Sequence, residues 1–326
     1  MKPLRGLPYS VLAADHLVRR FGGRTAVDDV TFEVQAGEVF GLLGPNGAGK
    51  TTTLRMLGGL IAPTSGQVRV DGVTMDRASG PRLRARIGFL TETPGLWDQL
   101  TVADNIAVYA RLFGLDGVAA AVERSLRQFE LWDRREDRAA LLSKGMKQKL
   151  ALARALVHDP EIVLLDEPTA NLDPQTSRGV RDLLLDLRRR GRVVIVSTHN
   201  LDEIERVADR VALISTRLVA IGQPLVLRRQ LFGRRLIVHL TGDGPPLADL
   251  MAIAERTGAQ DVRRDDQGLS MALDDPDLGA PAIVRALVQS GASIRAVFDE
   301  QPPLEDVYLR LMGEPLDKTR AVTLES

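Results

Sequence analysis

The sequence predicts a large α/β domain on a mostly parallel sheet, followed by a small α+β domain. Three observations carry this reading. From Val11 to Gln223, short β-branched runs alternate with longer amphipathic segments, the pattern of strands joined by crossover helices. "EVFGLLG" (Glu38 to Gly44), "EIVLLDE" (Glu161 to Glu167) and "RVVIVSTH" (Arg192 to His199) are near-continuous apolar runs, as expected of central strands buried on both faces. After Gln223 and Pro224 the composition changes and the order becomes β-α-β-β-α-β. At 326 residues the chain exceeds one ordinary domain. The expected division is a main domain at 1–225, a small domain at 226–315 and a polar tail at 316–326.

Taken in order, the main domain opens with strands from Val11 and reaches its first central strand at Glu38. A mostly helical insert occupies about 95–145. Within it Thr101 and Asp104 are spaced as a capping box ahead of "NIAVYARLFGL". The remaining two central strands follow. In the small domain, "RLIVHL", a helix around Leu247 to Thr257, "QDVRRDD", "LSMALDD", a helix around Ala280 to Ser290 and "ASIRAVFDE" give a ferredoxin-like sandwich. A last helical piece, "PLEDVYLRLMGE", precedes the tail.

Bulk properties narrow the functional classes. Basic and acidic side chains balance at 43 each, so no net field draws the protein to nucleic acid or an anionic membrane. Cysteine is absent, which removes disulfides, thiolate metal sites and cysteine nucleophiles. No window approaches the roughly 18 apolar residues of a spanning helix, and the N-terminus has no signal-peptide core. The four histidines, His16, His158, His199 and His239, show no metal-ligand spacing, and the first, second and fourth read as structural.

Chemistry concentrates in two places. Gly44 to Thr51, "GPNGAGKT", fits G-x-x-x-x-G-K-[ST] after an apolar strand and before a helix. Its glycines let backbone N–H groups wrap phosphates, Lys50 neutralises β and γ charge, and the Thr51 hydroxyl is a hard oxygen suited to Mg²⁺. "IVLLDE" reads as a buried strand whose C-terminal end carries Asp166 and then Glu167. Asp166 suits an outer-shell Mg²⁺ contact, and Glu167 can orient and deprotonate the water that attacks a γ-phosphate. These residues point to a nucleoside triphosphate site. A second anion-binding element is "LLSKGMKQKLALARAL", a Ser-initiated helix that carries Lys144, Lys147 and Lys149 in its first turns. The helix dipole disfavours cations there, so the lysines read either as facing a phosphate or, for Lys147 and Lys149, as solvated surface residues.

In order, "GPNGAGKT", "LSKGM", "LLDEPTANLD" and "STH" resemble the motifs of the ATP-binding subunit of an ABC transporter over roughly Val11 to Gln223. The resemblance implies a P-loop ATPase fold, with ATP and Mg²⁺ as cofactors. It implies that Gly44, Pro45, Asn46, Gly47, Ala48, Gly49, Lys50, Thr51 and Thr52 cradle the phosphates and that Phe21 stacks on adenine. His199 would then hydrogen-bond the γ-phosphate, with Lys50 and Glu167 as the other catalytic groups. Asn171 to Asp173 match the loop that meets a partner subunit. Two departures stand out. Glu92 replaces the usual glutamine in "IGFLTE", keeping the capacity to accept from a Mg²⁺-bound water. Lys144 and Met146 replace the usual glycine and glutamine of the signature, whereas Ser143 and Gly145 keep its hydroxyl and its close-approach backbone.

In such proteins the signature helix addresses ATP held by another subunit's P-loop, so one P-loop and one signature imply a head-to-tail homodimer. Leu96 and Trp97, in the Pro/Gly loop "TETPGLWDQLTV", are an apolar pair either packed in the core or docking a separate integral-membrane permease. The C-terminal domain resembles that of bacterial type-2 exporters, which implies export and a peripheral place on the cytoplasmic face of the membrane. A soluble ATPase of the superfamily acting on ribosomes or DNA is the alternative, although such proteins usually carry two cassettes or a long coiled-coil insert. No nucleic-acid partner is expected.

Overall fold

The computed structural model of the protein describes residues 11–170, 172–227, 234–242, 244–273, 276–300 and 322–323. The chain divides into two compact units after Gln223. The first unit begins with the antiparallel strands β1 (Leu12–Phe21) and β2 (Arg24–Val34), closed by Gly22 and Gly23. They share a four-stranded sheet, order β2-β1-β4-β5, with β4 (Ser65–Val70) and β5 (Val73–Thr74).

The second sheet of this unit holds β3 (Val39–Leu43), β6 (Ile87–Leu90), β7 (Ile162–Asp166), β8 (Val193–Thr198), β9 (Arg210–Ser215) and β10 (Arg217–Gly222). Its order is β15-β10-β9-β3-β8-β7-β6, where β15 is Val322–Thr323, set parallel to β10. The polar tail thus contributes two residues to the sheet edge. Strands β6, β7, β8, β3 and β9 are mutually parallel. Every residue of β3, β7 and β8 is buried, which explains why these three strands read as unbroken apolar runs rather than alternating ones.

The core fills the space between the two sheets. Phe32 of β2 stacks on Phe40 of β3 at 4.9 Å, with Leu12, Leu17, Leu54, Leu57 and Ile195 in the same cluster. Helix α1 (Lys50–Leu57) runs through this layer and α2 (Gly80–Arg84) flanks it. The insert forms α3 (Val102–Leu112) and α4 (Val118–Gln128), and α5 (Lys144–Leu156) packs against both. Thr101 caps α3 as the spacing predicted, accepting from Asp104 N–H at 3.0 Å. Helices α6 (Pro174–Arg189) and α7 (Leu201–Glu205) complete the unit.

The second unit contains β11 (Arg234–Leu240), α8 (Leu247–Arg256), β12 (Gln260–Asp265), β13 (Gly268–Leu273), α9 (Pro276–Gln289) and β14 (Ile294–Glu300). This is the β-α-β-β-α-β order, in an antiparallel sheet ordered β12-β13-β11-β14. Helix α9 starts at Pro276, ahead of the expected Ala280. Leu236, Val238, Leu250, Met271, Ile283 and Leu287 form a separate core. The closing helix expected at "PLEDVYLRLMGE" lies outside the described residues.

Candidate nucleotide site

Parallel strands deliver their C-terminal ends to one edge of the sheet, and the loops that follow three adjacent strands meet there. Leu43 is in register with Thr198, and Asp166 with Ser197, so the loops after β3, β7 and β8 start side by side. The loop after β3 is the Gly-rich turn. A Cβ at Gly44 would run into the Ile214 carbonyl, and one at Gly49 into the Ala26 carbonyl. Gly49 also sits at φ 100°, a conformation L side chains rarely adopt. Thr216 N–H donates to Ala48 O at 2.8 Å, holding the turn against the neighbouring β9–β10 connection.

Lys50 opens α1 and is only 6 % exposed. Its Nζ donates to Gly44 O at 2.7 Å and Pro45 O at 3.2 Å and lies 3.8 Å from Glu167 Oε1. Burial pushes the Lys50 pKa down, opposed by the negative charges of Glu167, Asp166 and Glu92. An incoming phosphate would supply the counter-charge that burial withholds.

Asp166 is 1 % exposed and accepts from Thr51 Oγ1 at 3.2 Å and from Ser197 Oγ. Glu167, 8 % exposed, adopts φ 49° and is anchored by its N–H to Ser197 O at 3.0 Å. A left-handed glutamate is uncommon, and strain of this kind concentrates at functional sites. The turn aims Oε1 at His199 Nδ1, 2.9 Å away.

These groups border one cavity of about 560 Å³ lined by Phe21, Arg24, Ala26, Pro45, Asn46, Gly47, Gly49, Lys50, Thr51, Thr52, Glu92, Glu167, Ala170 and His199. Phe21 is 48 % exposed, with Arg19 stacked over its ring at 4.5 Å, so it is not a core aromatic. Gly44, Ala48 and Asp166 do not line the cavity, but Gly44 O accepts from the lining residue Lys50 and Asp166 Oδ1 from the lining residue Thr51. Ser143, Gly145 and Asp173 lie elsewhere in the unit. Ser143 caps α5, accepting from Met146 N–H at 3.3 Å, and Asp173 caps α6, accepting from Thr176 N–H at 2.9 Å. A Cβ on Gly145 would sit 3.1 Å from Thr176 Oγ1, so the two helix starts abut. Asn171 lies outside the described residues.

Two lysines of the signature helix depart from expectation. Lys147 Nζ pairs with Asp98 at 3.0 Å and Lys149 Nζ with Glu130 at 2.5 Å, so carboxylates of their own chain offset the helix dipole. Neither is held out for a phosphate.

The loop carrying Trp97 is tied down by residues whose part is not apparent in the sequence. Asn105 is fully buried and exchanges hydrogen bonds with Trp97 N–H (2.9 Å) and O (3.1 Å). Arg154 of α5 donates to Gly95 O (2.7 Å) and Pro94 O (2.6 Å). A charged residue inside the apolar run "LALARALV" is the signal that could have marked it. Trp97 itself keeps 43 % of its surface exposed, with its ring 5.8 Å from Tyr109.

Fold and site together define a P-loop nucleoside triphosphatase. The family model described as ABC transporter matches residues 27–170. Nod factor export ATP-binding protein I of Rhizobium johnstonii is 36% identical over 303 residues, covering 92% of this chain and 94% of that protein. The protein of the same name from Paraburkholderia xenovorans is 36% identical over 314 residues, covering 95% and 99%. A solved ATP binding subunit of an ABC transporter superposes with TM-score 0.63 at 32% identity, covering 68% of this chain and 94% of that one. The dimeric ATP-binding cassette MJ0796, in a post-hydrolysis state bound to ADP and Pi, gives TM-score 0.60 at 26% identity, covering 65% and 98%. The chain belongs to the ABC transporter ATP-binding family. It binds and hydrolyses ATP, the work of that family's ATP-binding subunits.

Proposed function

We propose that two copies of this chain close head to tail around two ATP molecules and that their turnover drives export through a separate membrane permease. The observation that carries the first half is the division of the site. Lys50, Glu92, Glu167 and His199 line one cavity, whereas Ser143, Gly145 and Asp173 do not. A second copy brings its Ser143 hydroxyl, its Gly145 backbone and the turn at Asp173 over the first copy's ATP.

In this reading Glu167 takes the proton of the attacking water, held in place by the φ 49° turn. His199 steadies Glu167 through the 2.9 Å contact and reaches the γ-phosphate. Lys50 exchanges its carbonyl partners for β- and γ-phosphate oxygens. The all-oxygen set of Thr51, Asp166 and Glu92 suits a hard Mg²⁺. Among the described residues no cluster of three acidic or histidine side chains forms a ready metal cage. Held by Thr51, Asp166 and Glu92, such an ion would offset charge on the transferring phosphoryl group.

One observation supports docking on a second polypeptide: Trp97 stands exposed on a loop braced by Asn105 and Arg154. Among the described residues no helix is long and apolar enough to cross a membrane. Export in particular rests on the Nod factor export relatives, which match across both units of the chain. Phosphate release per chain, measured across a dilution series in saturating Mg·ATP, tests the composite site. Turnover per chain should fall on dilution as copies separate, and constant turnover at every dilution would leave each chain complete by itself.

A further inference from the structure

Of the charged and titratable residues that line the cavity, Lys50, Glu92, Glu167 and His199 have roles above; Arg24 does not. It opens β2 as the Cα partner of Phe21 across the hairpin. Directly opposed residues of an antiparallel pair share one side of the sheet, so Arg24 stands beside the aromatic platform. Its guanidinium reaches the Gly-rich turn, with Nη2 3.5 Å from where a Cβ on Gly47 would lie. Arg24 lines the same cavity, and no carboxylate among the described residues forms an ion pair with it. Neighbouring arginines are engaged otherwise: Arg19 stacks on Phe21 and Arg217 pairs with Asp28.

Given that ATP occupies this cavity, as the proposed function requires, its base lies at Phe21 and its γ-phosphate between Lys50, Glu167 and His199. The span between Phe21 and Gly47, where Arg24 stands, then falls to the ribose and α-phosphate. We infer that Arg24 is a nucleotide-binding residue that grips the α-phosphate by a charge-assisted hydrogen bond and so holds ADP as firmly as ATP. A guanidinium presents planar, paired donors to phosphate oxygens and stays charged at any working pH. It touches neither the γ-phosphate nor the attacking water, so it governs affinity and product retention rather than the chemical step.

The test measures calorimetric dissociation constants for ADP and β,γ-imido-ATP, at low and moderate salt, on the intact chain and on Arg24→Gln and Arg24→Lys. Arg24→Gln should weaken both nucleotides by the same factor, about tenfold, and flatten the salt dependence of ADP binding. Arg24→Lys should recover part of the loss. In steady state KM for ATP should rise, and inhibition by added ADP should weaken by the same factor. Unaltered ADP affinity and salt dependence in Arg24→Gln would overturn the inference, as would a loss confined to the triphosphate analogue. A melting midpoint matching the parent chain separates these outcomes from misfolding, and full recovery in Arg24→Lys without rescue of the salt dependence would reduce Arg24 to a packing role. Failure of the unaltered chain to bind ADP would instead refute the nucleotide site itself.

Discussion

Replacing Glu167 by Gln removes one proton-accepting oxygen and one negative charge while keeping the side chain's shape. Gln tolerates the φ 49° turn about as well as Glu, and its Oε can still meet His199 at the observed 2.9 Å. The fold should therefore survive. A positioned general base contributes about 10²–10⁴ in rate, or roughly 3–5 kcal/mol of transition-state stabilisation at about 1.4 kcal/mol per decade. Phosphate release in saturating Mg·ATP should fall by that factor. Nucleotide binding should move the other way. Glu167 Oε1 lies 3.8 Å from Lys50 Nζ, so its charge competes with the γ-phosphate for that ammonium, and removing it should tighten ATP more than ADP. Turnover within threefold of the parent chain would refute the assignment. So would reduced turnover traced wholly to weakened ATP binding.

Other perturbations probe different links. Lys50→Ala deletes a charge contact made before the chemical step and should weaken ATP binding at least tenfold by calorimetry, with unchanged affinity contradicting its role. Trp97→Ala should leave the isolated ATPase folded and active but lower its capture by membranes carrying the permease. A large drop in melting temperature would assign the indole to the core instead. His158, stacked on Phe113 at 3.6 Å, has its pKa pushed below 6.5 by burial. The unfolded chain therefore binds the extra proton more readily, and stability should fall as the pH drops below about 6.5. His158→Gln should flatten that part of the denaturation profile, and an unchanged slope would place the sensitivity elsewhere.

The central strands and the Gly-rich turn were legible because their signals are local. β3, β7 and β8 are buried on both faces, so each reads as an unbroken apolar run. Lys50 and the glycines of the turn lie within a few residues of one another. The expectations for Phe21, Glu92 and His199 came from motif resemblance and that for Glu167 from its place after an apolar strand, and the fold brings all four to one cavity. Contacts made only by folding were not legible. Ser197, which holds Asp166, is 31 positions away, and Arg154 reaches Pro94 across 60. The same limit applies at α5. From sequence, Lys147 and Lys149 looked stranded at a positive helix end, because their partners Asp98 and Glu130 lie 49 and 19 positions away. Arg24 was passed over for a related reason. An arginine beside a Gly-Gly turn carries no signal until the hairpin sets it opposite Phe21.

The claim that two chains complete each ATP site is tested most directly by sedimentation of Glu167→Gln with saturating Mg·ATP, with and without Ser143→Arg. Slow hydrolysis should let the single variant persist as an ATP-dependent dimer. Ser143 is exposed at the α5 N-terminus and absent from its own chain's cavity, so an arginine there obstructs only a neighbour's γ-phosphate. The double variant should bind ATP as tightly as the single one yet remain monomeric. A parent that never dimerises, together with a double variant that loses ATP affinity as a monomer, would place Ser143 within one chain's site and contradict the head-to-tail account.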